Sequence, residues 1–260
     1  MSERYLEGRN AIVTGGGRGI GAAIASELAR LGAAVTVVGR DQARLDAQVL
    51  SMRAAYGGDY HAMTCDVTDP EAVADTFARA HAAMGEAWIL INNAGAAESE
   101  RFTDTTLDDW NAMLASNLTS VFLCTKQVLP AMLAAKGGRI VNIGSTASVR
   151  GAARLAAYTA AKHGVLGLTR ALAAETARQG ITVNCVCPAY TDTGMARSAV
   201  DNLVRGRGIS SEEAEAMIVR TIPRGRLIEP EEVASAVGWL CSPGAAAVSG
   251  QAVVLGGGEP

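Results

Sequence analysis

The sequence predicts an α/β fold: a doubly wound parallel sheet of about seven strands with helices on both faces. Short β-rich apolar runs alternate with longer stretches of helical periodicity, and that alternation implies parallel pairing. The runs are nearly continuous in apolar residues, so both faces of the sheet are covered. With 260 residues, 49% hydrophobic and 19% charged, the chain can bury a real core yet stays within the size of one α/β domain. A single domain over 1–260 is therefore expected.

The clearest strand runs are 11–13, 34–38, 88–91, 139–143 and 181–186. The first leads through a glycine-rich segment into a helix over 22–31. Gly32, Gly57, Gly85 and Gly180 stand where glycine ends a helix, while Asp69-Pro70-Glu71 and Glu229-Pro230-Glu231 read as cap, first-turn proline and acidic first turn. A helical run over 111–126 carries Asn117, which lowers helix propensity without an obvious packing gain. The least patterned stretch, 193–226, includes a short helical piece at 210–219 and reads as a substrate lid or as a pair of solvated helices.

A net charge of −3 gives no electrostatic reason to expect a nucleic acid or an anionic membrane as partner. The first residues lack the basic and apolar regions of a secretory signal, and no apolar run approaches the roughly 20 residues of a membrane span. A cytoplasmic protein is expected. Five scattered cysteines fit reduced thiols better than a disulfide scaffold. Cys185 and Cys187 share one face of a strand, but without a second pair or a nearby histidine no metal site is expected. His61, His81 and His163 are too dispersed to form a ligand set.

The chemistry begins at Thr14-Gly15-Gly16-Gly17-Arg18-Gly19-Ile20-Gly21, between a strand and a helix. Glycines there let backbone N–H groups approach a pyrophosphate at the helix N-terminus, as in Rossmann folds. The second strand ends in Arg40-Asp41 rather than in an acidic ribose reader. Arg40 with Arg18 forms a guanidinium pair suited to a 2′-phosphate, which favours NADP(H) over NAD(H). The counter-reading, in which Asp41 caps the next helix and Arg40 is simply solvated, leaves NAD(H) usable.

The spacing Gly-x-x-x-Gly-x-Gly, with Asp66-Val67, Asn92-Asn93-Ala94-Gly95, Asn117, Ser145 and Tyr158-x-x-x-Lys162, resembles the short-chain dehydrogenase/reductase family along nearly the whole chain. Its 3-oxoacyl-thioester reductases are the most similar branch. The resemblance implies catalytic roles for Asn117, Ser145, Tyr158 and Lys162. It implies cofactor contacts from Gly15, Gly17, Arg18, Gly19, Ile20, Gly21, Arg40, Asp66, Val67, Asn93, Ala94, Gly95, Tyr158, Lys162, Pro188, Thr191 and Thr193, and places Asn92 beside the cofactor. It further implies a homotetramer or homodimer built on the helices that carry Asn117 and Tyr158. Ala189 and Leu255 depart from the family's usual residues.

Tyr158 and Lys162 lie four residues apart on one helix face. A nearby ammonium and an oxidised nicotinamide both favour phenolate, which brings the tyrosine toward working pH as an acid/base. Ser145 is expected to polarise the oxygen of a small-molecule carbonyl or alcohol substrate, with Asn117 kinking its helix to hold a relay water. Candidate substrate walls are Ala96, Ala97, Thr146, Ser148, the 150–155 loop and Tyr190. The arginines at 150, 154, 205, 207, 220, 224 and 226 could receive an acyl-thioester's phosphates or lie on solvated helix faces. A cofactor-sensing protein without catalysis would be expected to lose members of the serine, tyrosine and lysine set, and all three are present.

Overall fold

A computed structural model describes residues 4–258. In chain order the elements are β1 (Asn10–Thr14), α1 (Gly19–Arg30), β2 (Ala34–Gly39), α2 (Gln42–Tyr56), β3 (Tyr60–Thr64), α3 (Pro70–Met84), β4 (Ile89–Asn92), α4 (Leu107–Leu114), α5 (Ser120–Ala135), β5 (Gly138–Ile143), α6 (Ala156–Thr176), β6 (Ile181–Pro188), α7 (Gly194–Arg207), α8 (Ser211–Val219), α9 (Pro230–Cys241) and β7 (Ala252–Leu255). The seven strands form one parallel sheet in the order β3-β2-β1-β4-β5-β6-β7. The order reverses between β1 and β4, and in open α/β sheets ligands bind at the carboxyl edge of that switch point.

Covered strands explain the continuous apolar runs. β5 and β6 are buried throughout, and so is β4. The largest core cluster joins Val13, Val37 and Ile91 to α1 and α9, while a second joins Ile12, Leu90 and Ile140 to α3 and α5. Local signals set the boundaries: Asp69 caps α3 with Pro70 at its start, and Gly57 and Gly85 take positive φ at the ends of α2 and α3, whereas α6 already ends at Thr176 and Gly180 takes its positive φ at the entry to β6.

Three features refine or correct what the sequence predicts. The 111–126 helix begins earlier, at Leu107, where Thr106 and Asp109 form a reciprocal capping box. It continues through a π-helical segment, Ala115–Thr119, into α5. The resulting run Leu107–Ala135 is, by length and composition, long and apolar enough to cross a membrane. Counting unbroken apolar residues hid it, because Asp108, Asp109 and Asn117 interrupt the run. Finally, the 193–226 stretch is ordered into α7 and α8, with Ser210 and Glu213 boxing the start of α8.

Candidate active site

At the end of β1 a single hydroxyl organises the glycine loop. Thr14 Oγ1 accepts hydrogen bonds from the backbone N–H groups of Asn93 (3.0 Å) and Ala94 (3.1 Å). Asn93 Nδ2 donates back to the carbonyls of Thr14 and Gly15 at 2.9 and 3.2 Å. The segment after β4 thus clamps the loop after β1. Gly15 sits at φ 65°, and a side chain on Gly21 would collide with the Gly15 carbonyl, so α1 starts hard against the turn. Asp41, Asp69 and Thr106 cap their helices with side chains, whereas α1 has no side-chain cap and no acid in its first turn. Its first N–H groups and positive dipole end are left for an anion, the arrangement a pyrophosphate requires.

Arg18 and Arg40 are both exposed at this end of the sheet. Asp41 turns its carboxylate into the α2 cap, accepting from the Arg44 N–H at 3.2 Å and pairing with Arg44 Nε at 3.0 Å. The capping half of the counter-reading therefore holds, and it leaves Arg40 as the polar side chain at the tip of β2. Arg44, which the sequence reading did not single out, has its Cβ 3.4 Å from where a Cβ on Gly17 would sit. Asp66 accepts from Thr68 N–H (3.0 Å) and Thr68 Oγ1 (2.7 Å), which hold its carboxyl below the usual range. Val67 is buried in the core beside it. Asn92, expected beside the cofactor, instead faces inward. Its Nδ2 bonds Thr125 Oγ1 and Asn142 Oδ1 in a buried polar chain that continues to Thr169.

Ser145 follows β5 after a single residue, Gly144. Its Oγ accepts from Ala147 N–H and its own N–H donates to Ser148 Oγ, both at 3.1 Å, so a reciprocal box around the Thr146–Ser148 turn fixes its direction. Tyr158 and Lys162 come from the first turns of α6 and are buried, at 9% and 5% exposure. A hydrogen bond from Ser145 reaches the Tyr158 hydroxyl. Lys162 Nζ donates to the Ile143 carbonyl at 2.8 Å and lies 5.7 Å from the centre of the tyrosine ring.

Burial dominates the electrostatics. It pushes Tyr158 up to about 12, against the Ser145 hydrogen bond that lowers it, and pushes Lys162 down to about 8. From sequence, the ammonium and an oxidised nicotinamide together are expected to bring the tyrosine toward working pH; in the chain by itself desolvation outweighs every lowering influence.

The π segment puts Asn117 inside the site. Its Nδ2 donates to the carbonyls of Ala96 (2.9 Å) and Met113 (3.1 Å), whereas its buried Oδ1 has no partner. That oxygen and Lys162 Nζ lie 2.6 and 3.8 Å from the point a Cβ on Gly95 would occupy. An unpartnered buried acceptor beside an ammonium suits a water.

A cavity of about 820 Å³ brings together Ile20, Asn93, Gly95, Asn117, Ser145, Tyr158, Lys162, Pro188, Thr191 and Thr193. Thr193 also reaches back to the glycine loop, its Cγ2 3.1 Å from where a Cβ on Gly19 would be. Gly15, Gly17, Arg18, Gly19, Gly21, Arg40, Asp66, Val67 and Ala94 are not part of its lining. Arg150, Arg154, Arg205 and Arg207 line the outer cavity, and no aspartate or glutamate is among its lining residues. Ala189 lines it too, while Leu255 packs against the core.

A family model described as short chain dehydrogenase matches residues 9–203. The chain belongs to this family. A relative from Streptomyces violaceoruber, "Granaticin polyketide synthase putative ketoacyl reductase 1", is 43% identical over 95% of this short-chain dehydrogenase and 92% of its own length. The 3-oxoacyl-[acyl-carrier-protein] reductase of Pseudomonas aeruginosa is 39% identical, over 97% and 98%. Among solved structures, a point variant of the actinorhodin polyketide ketoreductase with NADPH superposes with a TM-score of 0.93 at 40% identity, covering 96% of each chain.

Proposed function

We propose that this short-chain dehydrogenase is an NADP(H)-dependent ketoreductase that interconverts a ketone and a secondary alcohol, of the 3-oxoacyl-thioester or polyketide type. The carrying observation is the convergence of Ser145, Tyr158 and Lys162 in one cavity at the carboxyl edge of the sheet. The fold, and relatives that are ketoacyl reductases by name, support the same reading.

NADPH, when bound, supplies the hydride. Its pyrophosphate fits the uncapped start of α1 and the collision-tight Gly15/Gly21 turn, with Arg18, Arg40 and Arg44 reading the 2′-phosphate. Ser145 and Tyr158 hold the substrate oxygen, and Tyr158, kept protonated by burial, donates its proton as negative charge develops there. Lys162, and Asn117 through a water, return a proton to Tyr158. We assign cofactor contacts also to Ile20, Asp66, Val67, Asn93, Ala94, Gly95, Pro188, Thr191 and Thr193. The chain is read as one domain with a lid at 193–226, as a homotetramer or homodimer, and, from its buried free cysteines, as cytoplasmic.

The test is NADPH and NADH oxidation at ~340 nm against 3-oxoacyl thioesters, 3-oxo acids, diketones and cyclic ketones, with Tyr158→Phe alongside. The expected result is NADPH-preferring turnover that falls about 10²- to 10⁴-fold in the variant while cofactor binding persists. Near-native turnover by Tyr158→Phe would sink the mechanism.

A further inference from the structure

Cys185 and Cys187 play no part in the chemistry above, yet they sit directly beneath it. Two positions apart on β6, they leave the same face of the strand, with sulfurs 3.6 Å apart. Above them is Gly144, which lines the catalytic cavity and immediately precedes Ser145. A Cβ on Gly144 would meet Cys185 Sγ and Ser148 Oγ at 2.6 Å and Cys187 Sγ at 3.1 Å. The glycine thus makes room for two thiols and a hydroxyl packed as one cluster. That hydroxyl is the one accepting from the Ser145 N–H. Both sulfurs also act electrostatically on Lys162 and Tyr158.

We propose that Cys185 and Cys187 are a modification site, a dithiol that hydrogen peroxide converts to an intrastrand disulfide, switching off the catalytic group above it. Cys187 is the attacking sulfur: hydrogen bonding from Cys185, then from Ser148, holds its thiol below the ordinary range, while Cys185 is held above it. The Cys187 thiolate attacks one peroxide oxygen, breaking the O–O bond and leaving a sulfenic acid and one water. Cys185 then gives up its proton and attacks the sulfenic sulfur, forming the S–S bond and releasing the second water. Two thiols lose two electrons and two protons in all, and one peroxide becomes two waters.

Both thiols are fully buried behind Gly144 and do not line the cavity, so peroxide, a water-sized reagent, reaches them when the Gly144 backbone opens locally. Closure draws the sulfurs from 3.6 Å to about 2.05 Å, which takes them off Ser148 Oγ and loosens the turn that aims Ser145. Positions i and i+2 of a strand stand about 6.7 Å apart, near the upper limit for a disulfide, so the bridge is strained and readily reduced. The loss of activity rests on the reading of Ser145, Tyr158 and Lys162 as catalytic; formation of the bridge does not.

The test treats the reduced, desalted protein with hydrogen peroxide and follows intact mass, thiols titrated after unfolding, and NADPH-dependent ketone reduction. The tryptic peptide between Arg178 and Arg197 carries both cysteines and should lose two hydrogen masses. Turnover should fall at least about tenfold in parallel and return with dithiothreitol. Cys185→Ala, or Cys185→Ser if the alanine variant folds poorly, should keep its activity before treatment and form no bridge. All five thiols still free after treatment, stable addition of oxygen in place of a bridge, or a bridged protein with unchanged turnover would each overturn the proposal. Mass and thiol counts need no turnover, so failure of the ketoreductase reading is distinguishable from failure of the dithiol site.

Discussion

Lys162 shows the conflict between stability and function within one side chain. Its ammonium is buried and has one hydrogen-bond partner, the Ile143 carbonyl, so the folded chain holds it at about 8 against an ordinary 10.5. Below pH 8 the fold carries the full cost of that charge. Between 8 and 10.5 the unfolded chain still binds the proton that the folded chain has released, so stability rises with pH across that window. Tyr158 has the opposite sign: raised from 10.0 to about 12, it stays protonated in the fold while the unfolded chain ionises, so stability falls across that higher interval. Lys162→Met should therefore be inactive yet more stable than the parent at pH 7, by about 2 kcal/mol once the lost hydrogen bond is deducted. Melting temperatures from pH 7 to 10 check this, and the gap should narrow as pH rises; a gap independent of pH would show that the charge is not its source. At the other end of the site, Arg40→Asp places a carboxylate where we propose that the 2′-phosphate is read. The Michaelis constant for NADPH should rise about tenfold or more while that for NADH changes little or improves, since the acid repels one cofactor and hydrogen-bonds the other.

At the scale of elements, most of the sheet could be read because its central strands are covered on both faces and say so in composition. The edge strands could not. β3, Tyr-His-Ala-Met-Thr, and β7, four residues long, are partly exposed and lack the continuous apolar signal of β4 to β6. The residues we propose as catalytic could be picked out because motif and spacing are sequence properties. The inward turn of Asn92 and the packing of Arg44 against Gly17 were not, because each depends on contacts between distant elements. The kink expected at Asn117 is present as a π segment, although spacing alone could not say which amide atom is left unpartnered. The helices α7 and α8 were half legible: Ser210 and Glu213 announce α8, but nothing in sequence shows how lightly α7 is held. Only Ala196 is buried in α7, and Gly208 ends it at φ 66°. Few buried contacts mean cheap local opening. Hydrogen exchange should thus be faster across 194–219 than in β4 to β6 and slow when NADP⁺ and a ketone are both added; protection equal to the sheet's without ligand would make these helices a fixed wall.

For the molecule as a whole, the outstanding question is what covers the apolar outside of the Leu107–Ala135 run. Only 33% of its most apolar window is buried within the chain. On α5 the positions Phe122, Lys126, Leu129 and Leu133 follow helical spacing along one stripe, and Phe122 and Leu133 are 50% and 38% exposed. Lys126 covers part of this stripe, its Nζ 5.9 Å from the Phe122 ring centre. On α6, Gly167 is exposed with open space where a Cβ would stand, which lets another surface come close to the backbone. A second copy of the chain, meeting this face across a two-fold axis, would bury the same residues on both sides, as an isologous interface requires. Phe122→Glu with Leu133→Glu puts two charges in that interface without touching the cavity. Light scattering should then give a smaller assembly than the parent, and the melting temperature, concentration-dependent in the parent, should fall and lose that dependence. Should the parent itself be monomeric, or the double variant keep the parent's mass, the stripe is not where copies meet, and membrane contact becomes the alternative to test with vesicles.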